Sequence, residues 1–464
     1  MTGLEDRVEV STFHSFAYRL LRSFGVLSAA TVAPPTLQSV AEAKLFGHDK
    51  ARLSYDDLVP GCLIVLADDR VASLVARRWP LIICDEFQDT SPSQWALLVK
   101  LALRARLLVL ADNNQLIYTF VDGVSPERLR HAVDTADRVV ELEATSHRDP
   151  SGVIPALASA IRRRQFDDAA VTTALASGRL RIRRSVQDDD IAHVVREEID
   201  RSWQRGSRSF GIFGHSNQGV AELSSELDEC GIRHALVGLP EAAGEALAAM
   251  NVLTRYGARE VDERDVNIAL ATFLTACSRG AAAPALAVAL ATGDALPSTL
   301  AERLAHLRVA LIEAGEVDVE TLAGVALTAW RPLGILAGNG PWRQAAPAFV
   351  SSARNAARST QTLPAQLEQL AAAIDRLRIS SFLDSRRRRL PRVQLMNFHQ
   401  TKGREADTVI LVYRDGDYLA PNSATEPFAV PSRLLYVAFS RARKDVIAIL
   451  GSDPHPLVAP LAML

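Results

Sequence analysis

Hydrophobic runs and their spacing divide the chain into three textures. Near the start, Val8 to Val10 reads as a short strand, and Thr12 to Phe24 has the apolar spacing of an amphipathic helix. Pro34 and Pro35 mark a loop. Two uninterrupted apolar runs follow, each stopped by acid: Leu81-Ile82-Ile83-Cys84 ends at Asp85-Glu86, and Leu107 to Leu110 ends at Asp112. A helical stretch from Ser93 to Leu103 separates them, which predicts strand–helix–strand units of a buried parallel sheet. A third run, Phe210 to Phe213, precedes a helix from about Val220 to Glu229, closed by Gly231.

From about Glu241 to Ile379 the texture changes to Ala, Leu, Glu and Arg with few strand-like runs, so this segment reads as a helical insertion. Strand patterns return at Val393–Met396 and Val409–Val412, and a helix is expected from Ser432 to about Arg443. The organisation is α/β, helical, α/β.

Composition narrows the function classes. At 464 residues more than one core is expected. Lys and Arg total 52 against 54 Asp and Glu, so the molecule is no polycation, and any nucleic-acid surface must be local. Cys62, Cys84, Cys230 and Cys277 have no paired spacing, which argues against a zinc site or disulfide framework and for a reducing compartment. Charged residues at 5–7 oppose a signal peptide, and the Ala-rich run 266–296 is interrupted by Arg279, Pro284 and Asp294. A soluble, cytoplasmic protein without a membrane partner is the expectation.

The strongest chemical signal is LIICDEFQDTS at 81–91. A buried strand ending in adjacent carboxylates is how nucleotide hydrolases hold magnesium and orient water at a sheet edge. Asp85 is then the metal residue and Glu86 the proton acceptor. A bare Asp-Glu pair is more often a solvated turn, so the surroundings decide. The next strand runs into ADNNQLIYTF at 111–120, where Gln115 is placed to sense a γ-phosphate and the rings of Tyr118 and Phe120 to stack bases. Taken singly, each ring reads as core.

In order along the chain, these stretches and the arginine of EATSHRDP (143–150) resemble successive motifs of UvrD/Rep-type superfamily-one DNA helicases. STFHSFAYRLL (11–21), SYDDL (54–58), HSNQGVAELSSELDECGI (215–232), MNFHQTKGREADTVIL (396–411) and RLLYVAFSRAR (433–443) extend the resemblance over almost the whole chain. It implies two RecA-like motor domains of P-loop-NTPase type, the second interrupted by the helical insertion. The expected boundaries are 1–141, 142–245, 246–385 and 386–464. It further implies an ATP- and Mg²⁺-dependent helicase or translocase on single-stranded DNA, moving 3′ to 5′ and of the kind used in DNA repair. Asp85, Glu86, Gln115, Arg148 and Arg441 would then be catalytic. Gly403 and Glu405 would sit near the nucleotide, and Thr12, His14, Tyr118, Phe120 and His399 along the DNA.

Several positions depart from the pattern. Val121 and Asp122 follow the aromatic where Arg-Gly is usual, Asn113 and Asn114 replace acids, Ala111 replaces Gly, and the segment from Phe24 to Tyr55 is short. No stretch reads G-x-x-x-x-G-K-[ST], the phosphate-cradling P-loop, and Lys402-Gly403 has the wrong order. The first motor domain is therefore expected to be incomplete at its N-terminus, with little ATP hydrolysis by this chain alone and a P-loop supplied from elsewhere. A non-hydrolysing DNA-binding or regulatory subunit acting with a partner is the alternative. The run Arg386–Arg389 reads as a solvated linker more readily than as a phosphate contact.

Overall fold

A computed structural model gives the fold of residues 8–28, 30–31, 35–49, 52–117, 125–142, 147–237, 240–278, 282–315, 318–329, 339–358, 362–383, 392–420 and 424–464. Tyr118, Phe120, Val121, Asp122 and the run Arg386–Arg389 lie outside the described residues. The chain divides into two compact units: 1–80 with 96–104 and 239–388, and 81–95 with 105–238 and 389–464. The expected 1–141 domain is thus shared between the units.

The second unit is built on parallel strands. β1 (Leu81–Cys84) pairs with β2 (Arg106–Val109) in a two-stranded sheet. The other six strands are β3 (Leu180–Arg183), β4 (Phe210–Gly214), β5 (Ala235–Leu236), β6 (Val393–Asn397), β7 (Ala406–Tyr413) and β8 (Ala442–Leu450). They form one all-parallel sheet in the order β3-β8-β7-β4-β6-β5. Such a sheet must be covered on both faces, and the period-two alternation of apolar side chains supplies two cores. Phe213, Val409, Leu411 and Val446 share a core with the helices Val153–Arg162 and Pro431–Phe439. Ile212, Ile410, Val412 and Ile447 share the other with the helices Ile191–Gln204 and Asn217–Glu229.

The first unit is helical. Its helices Pro240–Gly257, Glu263–Cys277, Asn339–Ala357 and Leu363–Leu383 enclose Met250, Leu253, Phe273, Trp342, Phe349 and Leu370. The short helix Val40–Phe46 starts from a Ser39/Glu42 capping box, and the same Glu42 pairs with Arg52 at 2.9 Å and Arg378 at 3.4 Å. Arg378 reaches the buried Glu245 at 2.6 Å, which ties an N-terminal segment to the helical insertion within this unit.

Two local expectations need correction, and one strand was not anticipated. Residues 8–10 form no strand. The helix expected to run to Arg443 stops at Phe439, and 442–450 is strand β8, because Val446, Ile447 and Ile449 fill the two cores. β3 was missed because the alternation in LRIR is short and polar on one face. Among the described residues, no helix is long and apolar enough to cross a membrane.

Candidate nucleotide site

β1 delivers two carboxylates to its C-terminal end. Glu86 takes a left-handed backbone conformation, φ 54°, and its amide donates to Asp85 Oδ1 at 2.9 Å. A non-glycine residue held there costs of order 1–3 kcal/mol, a strain that clusters at functional sites. The turn is pinned from both sides. The Leu110 amide donates to the Cys84 carbonyl at 2.8 Å, and Gln88 Oε1 accepts from the Asp112 amide at 3.0 Å. Gln88 Nε2 donates to Glu86 Oε2 at 2.8 Å, so the turns after β1 and β2 hold one another.

Gln115 sits on a 3-10 turn, Asn113–Gln115, capped by Asp112. Its Nε2 donates to Asp112 Oδ2 at 2.9 Å, and its Oε1 accepts from Arg441 Nη2 at 3.0 Å. Arg441 is fully buried between the helix Pro431–Phe439 and β8. Its Nε donates to the Val437 carbonyl at 3.0 Å, while Nη1 has no hydrogen-bond partner among the described residues. Burial first, and then the neighbouring Arg148, push its pKa down to about 10, against the pull of Glu86. A buried guanidinium with an unused N–H edge suits an anion with several oxygens.

Arg148 donates through Nε to Glu405 Oε2 at 3.0 Å, and Glu405 also binds Arg443. Burial pushes the Glu405 carboxyl up, but Arg443 and Arg148 outweigh it and hold it below the ordinary range. Gly403, just before, has φ 72°, a conformation that favours glycine in this turn.

The sequence reading missed Lys402. Its ammonium lies 3.3 Å from Glu86 Oε2, donates to the Gln115 carbonyl at 2.8 Å and pairs closely with Asp89. Burial raises the Asp89 pKa to about 6 despite that lysine. The sequence held a signal in the acid at the end of DEFQD, but the partner lies 313 positions away.

In the second unit the structure links Asp85, Glu86, Gln115 and Arg441 through hydrogen bonds by way of Gln88 and Asp112, and the Arg148–Glu405 pair acts electrostatically on Arg441. Of the expected DNA residues, Tyr118 and Phe120 lie outside the described residues, and the other three are described unit by unit. Thr12 caps the helix Phe13–Phe24, its Oγ1 accepting from the Ser15 amide at 3.2 Å. His14 stacks on Tyr55 with ring centres 3.6 Å apart, and burial lowers its pKa to about 4. Both belong to the first unit, whereas His399, half-buried with its pKa lowered by that burial, belongs to the second.

The residues fit a magnesium nucleotide in part. Among the described residues no group of three or more His, Cys, Asp or Glu is placed to hold a metal ion. Magnesium commonly takes one or two carboxylates and completes its shell with phosphate oxygens and water, so Asp85 is the residue that would hold it. The unpartnered Arg441 Nη1 is the observation that fits a phosphate.

Comparison with known proteins finds two helicase-domain family models. Residues 38–130 match the model of the UvrD/REP helicase N-terminal domain, and 347–452 that of the UvrD-like helicase C-terminal domain. The chain is 30% identical over 130 residues to the RecBCD enzyme subunit RecB of Mycolicibacterium smegmatis, covering 27% of this chain and 12% of that protein. It is 26% identical over 200 residues to the ATP-dependent DNA helicase UvrD1 of Mycobacterium tuberculosis, covering 40% of this chain and 26% of that one. A second RecB, from M. tuberculosis, is 38% identical over 72 residues, 15% of this chain and 6% of that protein. These matches span about a quarter or less of the relatives' length.

Proposed function

We propose, for a chain that belongs to the UvrD-like helicase superfamily, an ATP- and Mg²⁺-dependent translocase on single-stranded DNA, working 3′ to 5′ in a cytoplasmic DNA-processing or repair setting. The observation that carries the reading is the buried Arg441, hydrogen-bonded to Gln115 while its Nη1 remains unused. In this reading Asp85 would hold magnesium, which would supply charge neutralisation at the phosphates, and Glu86 would accept the proton of the attacking water. Gln115 reports the γ-phosphate, and Arg148 and Arg441 neutralise its equatorial oxygens. The family resemblance assigns Gly403 and Glu405 to the nucleotide sugar, and Thr12, His14, Tyr118, Phe120 and His399 to DNA contact.

The phosphate cradle is the missing part, since no G-x-x-x-x-G-K-[ST] occurs in the 464 residues. Among the described residues β1 pairs with β2 alone, and Leu81, Ile83 and Leu108 are exposed on this small parallel sheet. Parallel sheets are normally buried on both faces. A parallel strand laid along the open edge of β1 would bring its own C-terminal loop beside Asp85 and Glu86. We assign that place to a strand carrying a glycine-rich phosphate loop, contributed by further sequence or by a partner protein.

ATP turnover with and without single-stranded DNA tests the reading. The chain alone is expected to give little hydrolysis. Addition of such a strand–loop–helix segment should restore DNA-stimulated turnover that Arg441→Ala removes. The absence of the phosphate loop favours one second reading, a DNA-binding subunit that does not hydrolyse ATP. DNA binding with no turnover, even after the segment is added, would establish it over the first.

A further inference from the structure

Where the strands of the six-stranded sheet begin, a group of cations surrounds one indole. Trp203, 39% exposed near the end of the helix Ile191–Gln204, carries the Arg208 guanidinium 4.5 Å and the Arg392 guanidinium 5.2 Å from its ring centre. Its ring also stacks on Phe210 at the start of β4, 6.5 Å between centres. Arg208 Nη1 donates to the carbonyls of Trp203 at 2.9 Å and Ser207 at 2.8 Å. Lys444 donates to the Gly206 carbonyl at 2.7 Å, which adds a further cation to the same stretch.

The acids of this region lie inward and the cations outward. Glu198 and Asp445 are buried, and the Asp407 side chain is largely so. Their partners Arg201 (3.2 Å from Glu198), Arg205 (3.8 Å from Asp445) and Lys444 (3.7 Å from Asp407) keep about half of their side chains in solvent. In the stretch 198–208 the exposed carboxylate is Asp200, against the exposed Arg201, Arg205 and Arg208. Among the described residues no carboxylate pairs with the side chain of Arg208 or Arg392. For a chain of net charge −2, this is a local positive surface built around an aromatic.

A tryptophan that served only to cover Phe210 would be buried, and arginines that served only to pack on it would need no surplus charge. A guanidinium stacked on an indole still offers its in-plane N–H edge, and that edge fits phosphate oxygens in a bidentate manner. Alternation of cations with an exposed ring is how proteins follow a nucleic-acid strand without reading its sequence. We infer that Trp203, Arg208 and Arg392 form a contact site for the phosphodiester backbone of DNA, with Arg205 and Lys444 extending it. None of these residues is among those assigned above to DNA contact. The site rests on the proposed reading only in taking DNA as the polymer.

Fluorescence anisotropy of the full chain with a labelled oligothymidylate and with a labelled duplex, over a series of salt concentrations, tests it. The double variant Arg208→Ala/Arg392→Ala should bind about 10-fold more weakly, with a salt slope shallower by about 1–2. Quenching of Trp203 emission on binding, identified by its loss in Trp203→Phe, should disappear in the double variant. Loss on either polymer supports the site, and the polymer that loses more identifies the strandedness it prefers. Arg208→Glu alone, a single surface change, should give a loss in the same direction if the double variant proves unstable. Undiminished affinity and an unchanged salt slope in folded variants would overturn this site and leave the motor reading standing. No DNA binding by the unaltered chain would overturn both. Weakened binding in the variants, with no ATP turnover by the unaltered chain even after the strand–loop–helix segment is added, would sustain the site and count against the motor.

Discussion

Two parallel sheets share one compact unit, and they differ in how well the chain covers them. The six-stranded sheet has helices on both faces, and its Ile212 is 0% exposed. The β1–β2 sheet has two strands, and Ile83, likewise the third residue of its strand, is 56% exposed. Yet the smaller sheet carries the carboxylates. What holds Asp85 and Glu86 in place is therefore less an apolar core than a polar network: Gln88 across to Asp112, and Lys402 across to Glu86, Asp89 and Gln115. A site can be positioned by hydrogen bonds where packing is incomplete, provided the buried groups are satisfied.

The same substitution made in each sheet gives the largest contrast. Ile212→Ala should lower unfolding free energy by about 4 kcal/mol through lost burial and a residual cavity. Ile83→Ala should change it by less than about 0.5 kcal/mol. Urea denaturation measures both, and a comparable loss at the two positions would mean that β1 is covered after all.

Removal of the polar clamp comes next. Lys402→Met should cost about 2 kcal/mol by the same measurement, below the usual toll of breaking a buried pair, because Asp89 can take up a proton. Combined with Asp89→Asn, the two costs should fall well short of adding. Full additivity would dissolve the network.

A smaller effect compares acids beside the two sheets. Asp89 near β1 and Asp417 after β7 are each raised by burial to about 6, with Lys402 and Arg414 respectively pulling the other way. A carboxyl whose folded pKa exceeds its unfolded value near 3.8 binds protons more tightly in the native state across that window. Its contribution to stability therefore declines as pH rises from about 4 to 6. Asp89→Asn and Asp417→Asn should each flatten that slope, read as urea midpoints across the window. An unchanged slope in both would contradict the burial of these groups.

Much of the architecture was legible in the residues. The apolar runs at 81–84, 107–109, 210–213, 393–396 and 409–412 fall on strands; the last three lie in the six-stranded sheet, where buried parallel strands need unbroken apolar sequence, whereas β1 and β2 keep such runs with exposed faces. β8 was hidden by Arg441, Arg443 and Lys444 at its start, which extend the helical pattern before it. In the site, Glu86, Gln115 and Arg441 were chosen by motif order, and their contacts lie within one unit. Lys402 was weighed only as a phosphate-loop lysine and set aside, because its acidic partners lie far from it in sequence.

The sequence by itself determined which segments become strands and helices and which side chains carry charge to the strand ends, since those follow from periodicity and side-chain chemistry over a few residues. Only the tertiary structure decided that Arg441 meets Gln115 across 326 positions, that Lys402 takes Asp89 as its partner, and that two arginines flank Trp203. Contacts of that separation arise when the sheet brings distant strand ends side by side, and strand order is not encoded in any short stretch of sequence.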